Sequence, residues 1–431
     1  MDRKLVIRIK KPTQAEFLLG VILVLPFLFG VLIELFRLPN ALKYLCDLAW
    51  LCLLLLMLLQ RGTKTREQKI LIGVAGCFFL YTLVGSFINF GSPLYYLWGV
   101  RNNFRMYIAF FAFVFFGKQT GRESFLKFLD GVFWLNAAIC LIQYFLMGKQ
   151  RDNLGGIFGV SYGCNSFLNN YFVLIAIKEL IQYLNGEGKL WNCVCKCGTM
   201  LVLSAFAELK FFYVEFVLIL VMSTLLTEFT WKKVLIIAGG LVGVVLATQM
   251  LVRLFPIFEG IFSIRAMLES ASSDKGYTNK GDINRLNAIS VISDRFLDTW
   301  SERMVGRGLG NCDTSTFAFL NTPFYKKYSF LNYSWFSLAF IFLEMGYIGL
   351  AFFFGFFVLV FLLAARIAKR LPQNRSYCLM TMICAVCCVV IGIYNSSLRN
   401  EAGYMMYFML ALPFLKGTTW DDTEEEKKAG S

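Results

Sequence analysis

The sequence predicts an all-α polytopic integral membrane protein with one large, partly helical loop late in the chain. Three features lead there. Of 431 residues, 58% are hydrophobic and only 16% are charged, whereas roughly a quarter of a soluble domain is charged. The apolar residues gather into runs of about 18 to 22, the length that crosses a bilayer core as a helix. Basic residues recur in the short connections between alternate runs, the pattern that orients a membrane protein.

In order, the candidate spans are residues 15–36, 41–60, 68–89, 102–117, 124–147, 165–184, 190–207, 210–229, 234–252, 333–366, 377–395 and 401–415. The first follows MDRKLVIRIKK without a small-residue cleavage site, so it is expected to be retained as a span. Residues 333–366 are too many for one straight crossing. They are expected to start as a shallow helix over 333–344 and to turn into the membrane near Gly346. Twelve spans put both termini on one face. Arg3, Lys4, Arg8, Lys10 and Lys11 lie there, with Arg61, Lys64, Arg66, Lys69, Lys118, Arg122, Lys232, Lys233, Arg366, Lys369, Arg370 and Arg375. By the positive-inside rule this face is cytoplasmic. Residues 1–415 read as one transmembrane domain, and 416–431 as a cytoplasmic acidic tail with the composition of a disordered segment. The polar stretch 253–332, between the ninth and tenth spans, is then extracytoplasmic.

The chain carries a formal charge of +14 and no histidine. In a membrane protein the charge does not call for nucleic acid, and the missing histidines exclude imidazole bases and imidazole-ligated metals. Thirteen cysteines are present, most inside apolar runs where they act as small hydrophobes. Cys193-Val194-Cys195-Lys196-Cys197 matches no common zinc spacing. Cys164 and Cys312 fall in external loops, where a disulfide joining those loops is one reading and two free thiols the other.

External basic residues oppose the orientation signal and need their own explanation. They include Arg37, Arg101, Arg105, Arg151, Lys210 and Arg399, and in the large loop Arg253, Arg265, Lys275, Lys280, Arg285, Arg295, Arg303, Arg307, Lys326 and Lys327. Arginine suits bidentate recognition of phosphate or carboxylate. The plain alternative for each is contact with anionic lipid or a salt bridge to Asp282, Asp294, Asp298 or Glu302. Gly306-Arg307-Gly308-Leu309-Gly310 can form a backbone concavity for an anion, with Arg307 projecting into it, or an ordinary turn. Residues 284–302 have helical periodicity, with Leu286, Ile289, Ile292, Phe296 and Trp300 on or near one face.

These elements resemble the O-antigen ligase and Wzy-type polymerase superfamily. The likeness rests on Arg285 opening an amphipathic helix, the Gly308-Leu309-Gly310 element, and a helix ending in Glu344-Met345-Gly346-Tyr347-Ile348-Gly349. It includes Arg151-Asp152-Asn153-Leu154-Gly155-Gly156-Ile157-Phe158-Gly159 followed by Asn165, and Lys210 where many members have a Ser-Arg pair. The topology extends it over nearly the whole chain. Ligases of the superfamily typically carry a histidine shortly before the Glu-x-Gly element; here Trp335 and its neighbours stand there, which favours a polymerase.

The resemblance implies a bacterial plasma-membrane glycosyltransferase for capsule, O-antigen or another cell-envelope polysaccharide. It would move a growing glycan from undecaprenyl pyrophosphate to the non-reducing end of a lipid-linked repeat unit. Its expected partners are that lipid-linked oligosaccharide, membrane lipids, a chain-length regulator and other polysaccharide-assembly proteins, without nucleic acid. Arginines stabilising the pyrophosphate leaving group would make a metal or other cofactor unnecessary. Arg285 and Arg307 are the expected pyrophosphate ligands, with Arg151 and Lys210 next and Arg101, Arg105 and Arg265 as further substrate contacts. A base for the acceptor hydroxyl would come from Glu208, Asp282, Asp313, Glu344 or Glu401. Glu344 is best placed by position, with anchoring of the helix junction as its other reading. Tyr95, Tyr96, Trp98, Trp300, Phe324, Tyr325, Tyr328, Tyr333 and Trp335 fall near the external interface, as sugar contacts or as an aromatic belt. A ligase with the same donor and a lipid-linked oligosaccharide flippase are the alternatives.

Overall fold

A computed structural model describes residues 13–60, 64–228, 231–254, 276–277 and 281–415. Arg265, the basic N-terminal run and the acidic tail lie outside these residues. Among the described residues the chain is helical, with one isolated antiparallel bridge between Tyr277 and Ile283 and no strand. Seven helical segments there are long and apolar enough to cross a membrane: Gln14–Leu35, Asn40–Leu59, Arg66–Ile88, Gln119–Phe145, Ile237–Leu254, Ser337–Arg370 and Pro372–Tyr394. This is a multi-pass, all-α membrane protein.

The helices are α1 (Gln14–Phe29), α2 (Tyr44–Leu59), α3 (Arg66–Ile88), α4 (Pro93–Phe116) and α5 (Gln119–Phe145). Then come α6 (Asn165–Leu184), α7 (Leu190–Phe206), α8 (Lys210–Leu226) and α9 (Trp231–Leu254). The loop contributes α10 (Ala288–Phe296), α11 (Trp300–Val305) and α12 (Pro323–Tyr328), and the chain closes with α13 (Ser337–Arg370), α14 (Arg375–Tyr394) and α15 (Gly403–Ala411). Each apolar segment read from the sequence is helical where it is described. Local signals set several starts. Thr13 with Glu16, Thr65 with Gln68 and Thr299 with Glu302 form reciprocal capping boxes, each satisfying N–H groups that a helix start leaves open.

One start differs from the sequence reading. α4 begins at Pro93, a residue preorganised for a first turn, so Arg101 and Arg105 stand on a helix and not in a loop. The turns they occupy carry tyrosine, tryptophan and asparagine, which is why this part resembles a polar connection. The long helix α13 starts at Ser337 and is broken at Gly346, which has φ 61° and ψ −162°, where the sequence places a change of direction.

The core lies among α6, α13, α14 and α15. Every residue of α15 is buried, and α13 and α14 form the most extensive helix pair. Aromatic rings fill the centre: Tyr107 meets Phe356 at 4.8 Å and Tyr407 at 5.8 Å. A four-charge knot joins α5, α6 and α7. Asp130 accepts from Lys178 and Lys196, each at 2.6 Å, and Glu179 from the same two lysines at 3.2 and 2.7 Å. Two acids against two bases leave no net charge, the condition on which such a group is tolerated away from water.

Candidate active site

Where α6 and α8 begin and α14 ends beside the loop, a cavity of about 430 Å³ opens. Arg285 and Lys210 both line it, with Asp152, Glu208 and Asn400. Three chain features bring them together. Lys210 opens α8 two residues after Glu208, with Leu209 between them, and its amine pairs with the Glu208 carboxylate at 2.9 Å. Glu208 holds a φ of 56°, a left-handed conformation uncommon outside glycine. Arg285 sits in the turn before α10, where the Asn284 side chain accepts the Leu286 N–H at 3.1 Å. Its Nε donates to the Tyr394 carbonyl at 2.8 Å, and its guanidinium lies 4.6 Å from the Tyr394 ring centre. That ring stacks on Phe211 at 3.9 Å with 2° between the planes, and both rings line the cavity. A cation held against a stacked aromatic wall keeps its charge while losing rotational freedom.

Arg151 reaches this cluster through Glu208, at 3.4 Å, and has φ 58°. Left-handed non-glycine residues tend to gather at functional sites, where the surroundings hold the strain. The glycine-rich turn after Arg151 is clamped from α5: Gln143 exchanges two hydrogen bonds of 2.7 Å with Gly156, and Asn136 accepts the Ile157 N–H at 3.0 Å. Glu34 accepts the N–H of Ser161 at 2.9 Å and that of Val160. These contacts fix the cavity wall.

The sequence reading omits one residue near the floor. Glu215 is fully buried on α8 and accepts from the Asn169 amide at 2.9 Å. Its Oε1 and the Oδ1 of Asn169 have no hydrogen-bond partner, and Asn169 lines the cavity. The signal was available: one carboxylate in the apolar run KFFYVEFVLILVMSTLL is costly in lipid and usually functional.

Arg101 and Arg105 do not line this cavity. Arg101 borders a separate one of about 780 Å³ with Lys43, Trp98, Asn102 and Glu401. It pairs with Asp47 at 2.5 Å, while Arg105 pairs with Glu401 at 2.8 Å and Asp47 at 3.6 Å. Two cations meet two anions, so the cluster is internally neutralised. Burial by itself would raise the Glu401 carboxyl, but Arg105 outweighs it and holds the group at about 2. Arg399 lies beside this cluster over the Phe340 ring at 3.5 Å, with Nε and Nη1 unpartnered, and burial lowers its guanidinium from the usual range. Nearby, burial raises the Asp313 carboxyl although Arg399 and Asn102 oppose the shift.

The glycine-rich element forms the expected concavity, but the Glu344 carboxyl group already fills it. Gly306, Gly308 and Gly310 have φ of 74°, 88° and 86°. The Gly310 and Cys312 N–H groups donate to the two Glu344 carboxylate oxygens at 3.0 and 2.9 Å. The Arg307 and Gly308 N–H groups donate to the Leu343 and Glu344 carbonyls, both at 2.9 Å. Glu344 is fully buried and joins the loop to α13, which is the anchoring alternative; as a base its oxygens are already engaged. Arg307 does not project into the concavity. Its Nη1 donates to the Phe296 carbonyl at 2.9 Å and its guanidinium covers the Phe324 ring at 5.4 Å. It does not line the Arg285 cavity, so the two arginines are not brought together. The reason is local: α10 and α12 carry a carbonyl and a ring that take up the side chain.

Cys164 and Cys312 are free, buried thiols, which answers the disulfide alternative in the negative. Cys164 Sγ lies 3.5 Å from the Asp152 carbonyl, and Cys312 is packed behind Glu344. No family model matches the chain, and no curated protein or solved structure is significantly similar to it.

Proposed function

We propose that the chain is a Wzy-type polysaccharide polymerase that takes its glycan donor from undecaprenyl pyrophosphate. In this reading twelve spans carry both termini on the cytoplasmic side, and the loop and cavity face outward in a bacterial plasma membrane. The observation that supports it best is the convergence of Arg285 and Lys210 on one cavity, against the stacked Phe211 and Tyr394 rings. Cations suit a pyrophosphate, and aromatic faces with amides suit sugar.

The reaction exchanges one bond at the anomeric carbon. The bond to the pyrophosphate oxygen breaks, and the acceptor hydroxyl oxygen forms the new glycosidic bond. Negative charge grows on the leaving oxygen, where Arg285 and Lys210 stabilise it; one such preorganised donor contributes about 3 kcal/mol. Glu208 holds Lys210 and Arg151 in register. Asp152 lines the cavity and accepts from Asn165 at 2.9 Å; we assign it to orient the acceptor hydroxyl and receive its proton. Arg101 and Arg105 maintain the outer wall.

The test incubates the purified chain with a defined undecaprenyl-pyrophosphate repeat unit and separates the products. A ladder of lengths is expected. Transfer only to an added lipid acceptor would instead identify a ligase, and movement across liposomes without new glycosidic bonds a flippase. Arg285→Ala is expected to lower turnover about 100-fold with unchanged melting temperature; turnover like the unmodified chain would remove Arg285 from the site.

A further inference from the structure

A third lined space lies at the opposite end of the helices, away from the loop. α1 begins there, α4 ends there and α5 begins there. Between them runs a groove of about 980 Å³, at the upper end of the roughly 300–1,000 Å³ that bound small molecules occupy. Its walls are apolar along most of their length, with Leu23, Phe116, Phe125 and Phe128 among them. Its polar residues are Lys118, Thr120, Arg122 and Ser124, from the start of α5 and the turn before it, and Thr13 and Glu16 from the start of α1.

Arg122 distinguishes this groove from an ordinary lipid-facing crevice. It lines the space, is only 4% exposed, and its Nε and Nη1 have no hydrogen-bond partner. Its guanidinium rests against the Tyr377 ring of α14 at 3.5 Å, and it makes no ion pair among the described residues. A buried guanidinium without an anion is costly, and the cost is relieved when a phosphate or carboxylate accepts its N–H groups. Lys118 is neutralised by Glu16 at 2.5 Å. The groove therefore carries, at one end of an apolar trough, a buried guanidinium with no ion-pair partner among the described residues.

We propose that this groove is a binding site for an anionic glycerophospholipid of the leaflet at that end. The headgroup phosphate meets Arg122 Nε and Nη1, and an acyl chain lies along Leu23, Phe116, Phe125 and Phe128. Thr120 and Ser124 line the same groove, and the Ser124 hydroxyl donates to the Thr120 carbonyl at 2.8 Å. Such a lipid would tie α1 to α4 and α5 through its own chain, a role independent of catalysis at the other end.

The experiment is native mass spectrometry of the full chain released from detergent after titration with phosphatidylglycerol or with phosphatidylcholine of the same acyl chains. One phosphatidylglycerol is expected to be retained in preference to phosphatidylcholine. Its affinity is expected to fall about tenfold in Arg122→Gln, and to stay unchanged in Arg375→Gln, which alters a half-buried cation on α14 paired with Glu228. Equal retention of both lipids, undiminished retention in Arg122→Gln, or displacement by inorganic phosphate would each overturn the proposal. Because Arg122→Gln can impair folding, a diazirine-bearing phosphatidylglycerol supplies a second readout on the unmodified chain. Labelling on α1, α4 and α5 peptides is expected, and labelling confined to other helices would refute the site.

Discussion

Glu344 illustrates how one side chain can look catalytic and act as an anchor. Its two oxygens accept the Gly310 and Cys312 N–H groups in a fully buried setting. Removing the carboxylate leaves two donors without partners, at about 1–3 kcal/mol each. Glu344→Ala is therefore expected to lower the melting temperature sharply, with Glu344→Gln falling between it and the unmodified chain. An essential base would behave differently, losing turnover at constant melting temperature, and measuring both quantities separates the roles. Arg285 and Lys210 stood out in the sequence through the resemblance, Arg285 opening a loop helix and Lys210 a span, and the structure lines one cavity with both. The direction of Arg307 was not legible, since it is decided by the Phe296 carbonyl and the Phe324 ring. Glu215 was passed over because its neighbours are uniformly apolar, although that isolation was itself the signal.

At the scale of the elements, the break in α13 carries the most structural information. A Cβ at Gly346 would meet the Met304 carbonyl carbon and oxygen at 2.4 Å, and its φ is +61°. Gly346→Ala is expected to cost at least about 2 kcal/mol and to loosen the 306–312 segment. Faster proteolysis of the loop and a lower melting temperature would register it; unchanged values of both would show that the break does not need glycine. Tyr81 adds a second hold here, its hydroxyl donating to the Met345 carbonyl at 2.6 Å. Run length made the helices legible, and the excess length of 333–366 with Gly346 inside it made the break legible. The start of α4 was obscured because Tyr95, Tyr96, Trp98 and Arg101 have the composition of a surface connection while packing against α2 and the loop.

For the whole molecule, the paired charges set how stability responds to acid. Glu401 joins α15 to Arg105 on α4, which also reaches Asp47 on α2. Burial raises its carboxyl and Arg105 pulls it down further, from an ordinary 4.5 to about 2. A carboxyl lowered in the folded state contributes stability above its ordinary value and loses it as pH falls toward the folded one. The contribution is thus expected to be complete at neutral pH and to disappear between about pH 4.5 and pH 2. Glu401→Gln should cost about 3 kcal/mol near pH 7, and its melting temperature should converge with that of the unmodified chain toward pH 2. Parallel curves across that window would refute the pairing as the source.

The joint between Glu344 and the 306–312 segment also has a mechanical meaning. The carboxyl group and the carbonyls of Leu343 and Glu344 hold the loop to the Ser337–Met345 portion of α13, immediately before its break. A displacement of that portion about Gly346 would pull on the 306–312 segment through these bonds, while Trp98 and Asn102 on α4 hold the next stretch of the loop at Thr314 and Asp313.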